Sequence, residues 1–148
     1  MTIDPQTLAA LGARMSDGTP QALALGIQFV AVDPGIGVLK VPYREDLVGD
    51  PQTGVIAGGV VTSLLDHVCG LATATLGVEG TATLDLRLDY MRSAEPGRDI
   101  VARAHCYKLT HTIAFVRAAA YEDDPHDPIA TAQAAFVVFG APSRTEDP

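Results

Sequence analysis

Positive charge is the first thing this 148-residue chain has little of: 10 Lys plus Arg stand against 18 Asp plus Glu, for a net charge of −8. A surface of that sign disfavours nonspecific binding to nucleic acid or to an anionic membrane, so the expected partner is a small molecule or another protein. Cysteine is scarce too. Cys69 and Cys106 stand among apolar neighbours with no Cys-x-x-Cys spacing, and no secretory segment is visible at Met1 onward, so a reduced, cytoplasmic protein is expected. No apolar run reaches the roughly 18 residues of a membrane span. The richest stretch, 54–77, is interrupted by Thr62, Ser63, Asp66 and His67, and a soluble protein follows as the expectation. Repeats and low-complexity segments are absent.

The length fits one domain over residues 1–148, long enough to bury a core without disulfides or metals. "DPQTLAALGARM" offers Asp4 as an N-cap and Pro5 at the first helical position, which predicts a short helix over about 4–14. A linker through Gly18 and Pro20 follows. "GIQFVAVDPGIGVLKVPY" places two β-rich runs around Asp33-Pro34-Gly35 and predicts a hairpin. "REDLVGDPQTG" reads as a loop leading to a helix from about Gly58 to Leu76. Four long runs remain, "TATLDLRLDYM", "DIVARAHCYKL", "HTIAFVRAAAYED" and "DPIATAQAAFVVFG", the first alternating polar and apolar. The last three can be linked as hairpins. The tail "APSRTEDP", about 141–148, is expected to be disordered. One apolar helix beside an antiparallel sheet is an α+β layer architecture.

The helix raises the chemical question. At 3.6 residues per turn, Val61, Leu64, Leu65, Val68, Leu71 and Ala72 share one side, while Gly59, Thr62, Ser63, Asp66, Cys69, Gly70 and Thr73 share the other. Neither side carries Lys or Glu, so the helix, with Asp66 on it, is expected to be covered nearly all round. A carboxylate there is either satisfied by hydrogen bonds as a structural group, shifted upward in pKa, or used on a ligand. Gly58 and Gly59 open the helix, where unpaired amides and the positive end of the dipole suit an oxygen anion; a tight turn into the helix is the plainer account. Asp66 lies eight residues beyond Gly58, about 12 Å along the axis. If both serve one reacting carbon, a second copy of the helix must lie antiparallel beside the first, giving two sites across a two-fold axis.

"GVIAGGVVTSLLDHVCGLA" resembles the helix signature of hotdog-fold acyl-CoA thioesterases of the phenylacetic-acid-degradation type, in which His-Gly-Gly is followed by an acid nine residues after the His. "TLDLRLDYMRSAEPG" and "GRDIVARA" resemble the strands that follow, and the likeness runs from about Gly26 to Phe139. The resemblance implies a long central helix wrapped by an antiparallel sheet, a homodimer with a continuous sheet or a dimer of such dimers, and an active site at the interface. By position it implies that Asp66 is the catalytic acid, as nucleophile or as base for water, and that the Gly58 amide binds the thioester oxygen. Thr83 falls where the family often has a Ser or Thr that positions water or carboxylate, though it is also an ordinary β-branched strand residue. Ala57, Gly59 and Ser63 fall at substrate-binding positions. Coenzyme A is part of the substrate, and no cofactor is implied.

Two departures stand out. Ala57 occupies the family's His position, and Pro51 falls about where many members have an Asn. The competing expectation is therefore a noncatalytic acyl-CoA-binding module that has lost turnover. Other residues weigh less. His67 lies some 100° around the helix from Asp66 and reads as a packed or interface histidine. Ser63 has no Gly-x-Ser-x-Gly frame, so no serine triad is expected. His67, Cys69, His105 and Cys106 lack zinc-type spacing, so no metal is expected. Arg87, Arg92, Arg98, Arg103, Lys108 and Arg117 hold six of the ten basic residues. They are either the solvated outer face of the sheet or a phosphate-binding rim for coenzyme A, with Arg92 the best candidate for the latter.

Overall fold

Asp4 caps the first helix, its carboxylate accepting from the amides of Gln6 and Thr7, and Pro5 takes the first helical position of α1 (Pro5–Asp17). The computed structural model describes residues 3–140, so the tail expected to be disordered lies outside the described residues. α1 continues past residue 14 because Ser16 is buried and bonds back to the carbonyls of Gly12 and Ala13 instead of ending the helix. In place of the expected linker the chain forms a second helix, α2 (Pro20–Leu25), which starts on proline and stops at Gly26 with φ of 71°. Ala22 is buried beneath it. Six residues are too few for a helix on propensity alone, so packing holds it.

The predicted hairpin forms from β1 (Gln28–Asp33) and β2 (Ile36–Val41), closing at Gly35 with φ of 76°. The predicted loop contains a 3-10 turn (Glu45–Leu47) and a small ladder of β3 (Val48–Asp50) with β4 (Val55–Ile56). That ladder delivers the chain to α3 (Gly58–Ala74), which ends two residues short of the predicted Leu76. The four expected strands follow as β5 (Gly80–Tyr90), β6 (Ile100–Leu109), β7 (Ile113–Tyr121) and β8 (Ala130–Phe139). One antiparallel sheet of six strands runs β1-β2-β6-β7-β8-β5. α3 lies across its inner face against β2, β5, β6, β7 and β8, the hotdog arrangement.

Small residues let the helix sit close. The inner faces of β6, β7 and β8 carry buried alanines, among them Ala102, Ala104, Ala114, Ala120, Ala130 and Ala132. At Gly37 on β2 a Cβ would come within 3.0 Å of Leu71 Cγ and 3.1 Å of the Ala72 amide nitrogen, so a side chain there would have to press the helix back by a few tenths of an ångström. The greasy side of α3 fills the hollow: Leu64, Leu65, Val68 and Leu71 are completely buried, each stabilising the fold by about 1.5–3 kcal/mol relative to exposure. Thr75 pins the helix end to the hairpin by accepting from the Gly35 amide at 2.7 Å and donating to the Ala72 carbonyl at 2.7 Å.

β5 is the long edge strand. Among the described residues it pairs only with β8, and most of its 11 residues are exposed, including Leu84 and Tyr90, with Met91 just beyond. The other edge, β1, packs against α1. A long unprotected edge invites pairing with another chain, and β1 and β5 differ sharply in how they are shielded.

Candidate active site

Asp66 projects from the middle of α3 toward β5, where Thr83 Oγ1 donates to its Oδ1 at 2.9 Å. The expectation that the helix is covered nearly all round requires correction. Cys69, Gly70 and Thr73 are buried with the greasy side, but Thr62, Ser63 and Asp66 are half-buried, and Gly58 and Gly59 are exposed. The described residues thus cover only the C-terminal half of the small-residue face. A Cβ on Gly59 would meet nothing within 4 Å, so packing inside this chain does not demand glycine there.

A bulge in β5 decides which side chains meet the helix. Thr83 pairs with Phe136 and Asp85 with Ala135, leaving Leu84 as an extra residue between them. Side chains alternate along a strand, so Thr83 and Tyr90, an odd number apart, would face opposite sides of a regular strand. The extra residue shifts the alternation and turns both toward α3. Tyr90 was missed in the sequence for this reason, although the Tyr-Met pair at 90–91 belonged to the quoted motif.

At the start of α3 the amides of Gly58 and Gly59 have no acceptor among the described residues. Ala57 caps without a side-chain bond, its own amide donates to the Leu47 carbonyl at 2.9 Å, and Val60 turns back to the Ala57 carbonyl at 3.0 Å. Two free donors therefore point outward at the positive end of the helix dipole. Beside them opens a cleft of about 390 Å³, walled by Val55, Ile56, Val61, Tyr90, Met91 and Ala94. Tyr90 donates to the Gly58 carbonyl at 2.7 Å. The arrangement offers an oxyanion site at one end of the exposed helix face and a hydrogen-bonded carboxylate at the other, about 12 Å apart along the axis.

Arg92, the candidate for a phosphate-binding rim, also lines this cleft, with its guanidinium engaged by neighbouring acids. Its guanidinium grips Glu122 bidentately, Nη1 to Oε1 at 3.2 Å and Nη2 to Oε2 at 2.5 Å, and also donates to the carbonyls of Ser93 and Asp127. Nε lies 3.2 Å from the Asp127 carboxylate, an ion pair without hydrogen-bond alignment. Burial pushes the Glu122 carboxyl up, but the bonds from Arg92 and the Glu95 amide more than offset it and leave it below its ordinary value. This is a structural clamp between the β5–β6 connection and the end of β7. Arg98 is likewise committed to Glu95 and Asp123. Arg87, Arg103 and Arg117 are exposed and lie on the outer face of the sheet, where His105, Arg117, Gln133 and Arg87 run in register across β6, β7, β8 and β5. They belong to the solvated face.

Three further side chains on α3 have partners or surroundings of their own. His67 Nε2 lies 2.5 Å from the Met15 carbonyl and donates to it, joining α3 to α1 as a packed histidine. Ser63 donates to the Gly59 carbonyl at 2.9 Å. Burial, with the Asp66 carboxylate adding to it, pushes the Cys69 thiol up to about 12, far from thiolate chemistry.

Residues 53–129, which include β4, α3, β5, β6 and β7, match the model of the Thioesterase superfamily. The chain belongs to the thioesterase superfamily. Human acyl-coenzyme A thioesterase 13 is 29% identical to it over 118 residues, covering 78% of this chain and 82% of that protein. A solved Pseudomonas aeruginosa protein is 38% identical with a TM-score of 0.80, over 88% of this chain and 98% of that one. The Escherichia coli PaaI protein from the phenylacetic acid degradation operon shares the fold at 17% identity, with a TM-score of 0.81 over 92% of this chain and 96% of that one. Within this thioesterase-superfamily chain, the matched segment carries Gly58, Asp66, Thr83 and Tyr90, the four residues whose side chains or amides converge on the exposed helix face. No helix among the described residues is long and apolar enough to cross a membrane.

Proposed function

We propose that this protein hydrolyses an acyl-CoA, or a similar thioester, to free acid and thiol, in a dimer or a dimer of dimers whose sites are shared between chains. The observation that carries the reading is the exposed face of α3. It presents free Gly58 and Gly59 amides at one end and a Thr83-bonded Asp66 at the other, on a face that the described residues leave partly exposed. The separation along one axis is too long for both ends to serve one carbon. An antiparallel partner helix brings the Gly58 amide of one chain opposite Asp66 of the other, and the long open edge of β5 is the natural place for the two sheets to join.

In that geometry the thioester oxygen sits on the Gly58 amide, and the helix dipole stabilises the negative charge that develops as the carbonyl is attacked. Thr83 holds Oδ1 of Asp66, leaving Oδ2 to take a proton from water as the hydroxide adds, or to add itself and be freed by water in a second step. Either way the C–S bond breaks, the thiolate takes up a proton, and acid and thiol leave. No cofactor enters. Ala57 supplies no imidazole, but oxyanion binding needs only backbone amides, which Ala57 leaves in place. A cytoplasmic location is part of the proposal and fits two cysteines that are both free and buried.

The test is a thiol-release screen over short, long and aromatic acyl-CoAs with wild type and Asp66→Asn. At least one substrate turns over in wild type, and folded Asp66→Asn loses about 10²-fold or more in kcat. Tight acyl-CoA binding by calorimetry with no thiol release from any substrate replaces this reading with that of a binding module.

A further inference from the structure

The phenol of Tyr90 reaches from the last residue of β5 to the first turn of α3. Its oxygen lies 2.7 Å from the Gly58 carbonyl and 2.5 Å from Thr62 Oγ1, which is itself 3.1 Å from the same carbonyl. Two hydroxyl protons serve these three close pairs. The assignment that puts a proton in each of the two shorter pairs has Thr62 donating to Tyr90 and Tyr90 donating to Gly58, and leaves the 3.1 Å pair without one. Neither bond is needed to complete the helix, whose ladder already uses that carbonyl.

The consequence lies on the other side of the same peptide. The Gly58 carbonyl and the Gly59 amide belong to one planar unit, and donors on the oxygen polarise the unit and strengthen its N–H as a donor. That N–H is one of the two amides left free at the helix start, since Val60 is already turned back to Ala57. Glycine at 58 and 59 leaves this peptide without Cβ packing to fix its orientation, so a strap from the sheet has something to do. Tyr90 also borders the cleft beside Gly58.

We infer that Tyr90, relayed by Thr62, is a positioning residue for the oxyanion site: it orients and polarises the Gly58–Gly59 peptide so that the Gly59 amide binds the thioester oxygen together with the Gly58 amide. The inference rests on the thioesterase reading above. Tyr90 holds the donor and touches no reacting atom.

The experiment uses the full chain, with thiol release on the acyl-CoA that wild type hydrolyses fastest. Tyr90→Phe keeps the ring and removes the hydroxyl; Thr62→Val removes the relay; Tyr107→Phe, on an exposed tyrosine stacked beneath Arg117 on the sheet's outer face, is the control. Tyr90→Phe lowers kcat about tenfold with KM unchanged within about twofold, Thr62→Val lowers it about threefold, and Tyr107→Phe changes neither. The same acyl-CoA, 13C-labelled at its carbonyl and bound to slow-turnover Asp66→Asn, shows a carbonyl stretch that moves to higher frequency when Tyr90→Phe is added, because the oxygen has lost part of its hydrogen bonding. An active wild type with an equally active, folded Tyr90→Phe overturns the inference alone. So does a loss of activity confined to KM with no change in the carbonyl stretch. A wild type inert on every acyl-CoA removes the thioesterase reading and this inference with it.

Discussion

Replacing Gly58 with proline deletes one atom of chemistry, the amide hydrogen, at a place where the fold does not use it. Gly58 is the first residue of α3, the position at which proline is best tolerated because the missing N–H has no intrahelical partner. Its amide donates to no acceptor among the described residues. The preceding residue, Ala57, has φ of −58° and ψ of 138°, the extended conformation that a following proline requires. A Cβ at 58 meets nothing closer than the Tyr90 hydroxyl at 3.5 Å, an ordinary contact. Stability is therefore expected to hold or rise, since exchanging glycine for proline at a compatible site narrows the unfolded chain and contributes about 0.4–1 kcal/mol. Activity is expected to collapse: one lost oxyanion donor is worth about 3–4 kcal/mol, or 10²–10³ in kcat. Thermal melting and thiol release on the same preparation read the two effects together. A Gly58→Pro protein that melts with wild type and keeps kcat within about threefold refutes the placement of the oxyanion on this amide.

Thr83→Val, which keeps the shape and removes the donor to Asp66, lowers kcat about tenfold, while Thr83→Ser stays near wild type; a folded Thr83→Val with full activity removes Thr83 from the site. Glu122→Gln loosens the Arg92 clamp and lowers stability by about 1.5–3 kcal/mol in denaturant unfolding without acting on the chemistry. The same carboxyl gives the pH sign. Its folded-state value is depressed, so its contribution is complete above the unfolded value and fades as pH falls through the folded one; wild type loses melting temperature more steeply than Glu122→Gln below about pH 4.5.

The sequence made the largest elements legible because they repeat their period long enough to be seen. α3 shows six apolar positions on one side, and the Asp-Pro-Gly turn marks the first hairpin unaided. Elements held by packing alone stayed hidden: α2 spans six residues and β4 two, too short for any periodicity. Thr83 and Asp66 were legible as partners only through resemblance, since 17 residues and the turn out of the helix separate them. The bulge in β5 hid Tyr90, because a single extra residue at Leu84 reverses which side of β5 faces the helix. The partners of Arg92 were hidden for a different reason. Its acids, Glu122 and Asp127, come from 30 and 35 residues further on, and a lone basic residue beside a turn looks free until the chain folds back on it.

The shared site is open to direct trial by mixing two defective chains. Gly58→Pro lacks the oxyanion amide and Asp66→Asn lacks the acid; each alone is expected to be nearly inactive. Unfolded together in equal amounts and refolded, half of the dimers contain one of each, and each such dimer has one site with both defects and one site with Gly58 from one chain and Asp66 from the other, both intact. Thiol release should then return to about a quarter of the wild-type value. Recovery no greater than the sum of the two parents, in a preparation where native mass spectrometry shows the mixed dimer, contradicts a site built from two chains.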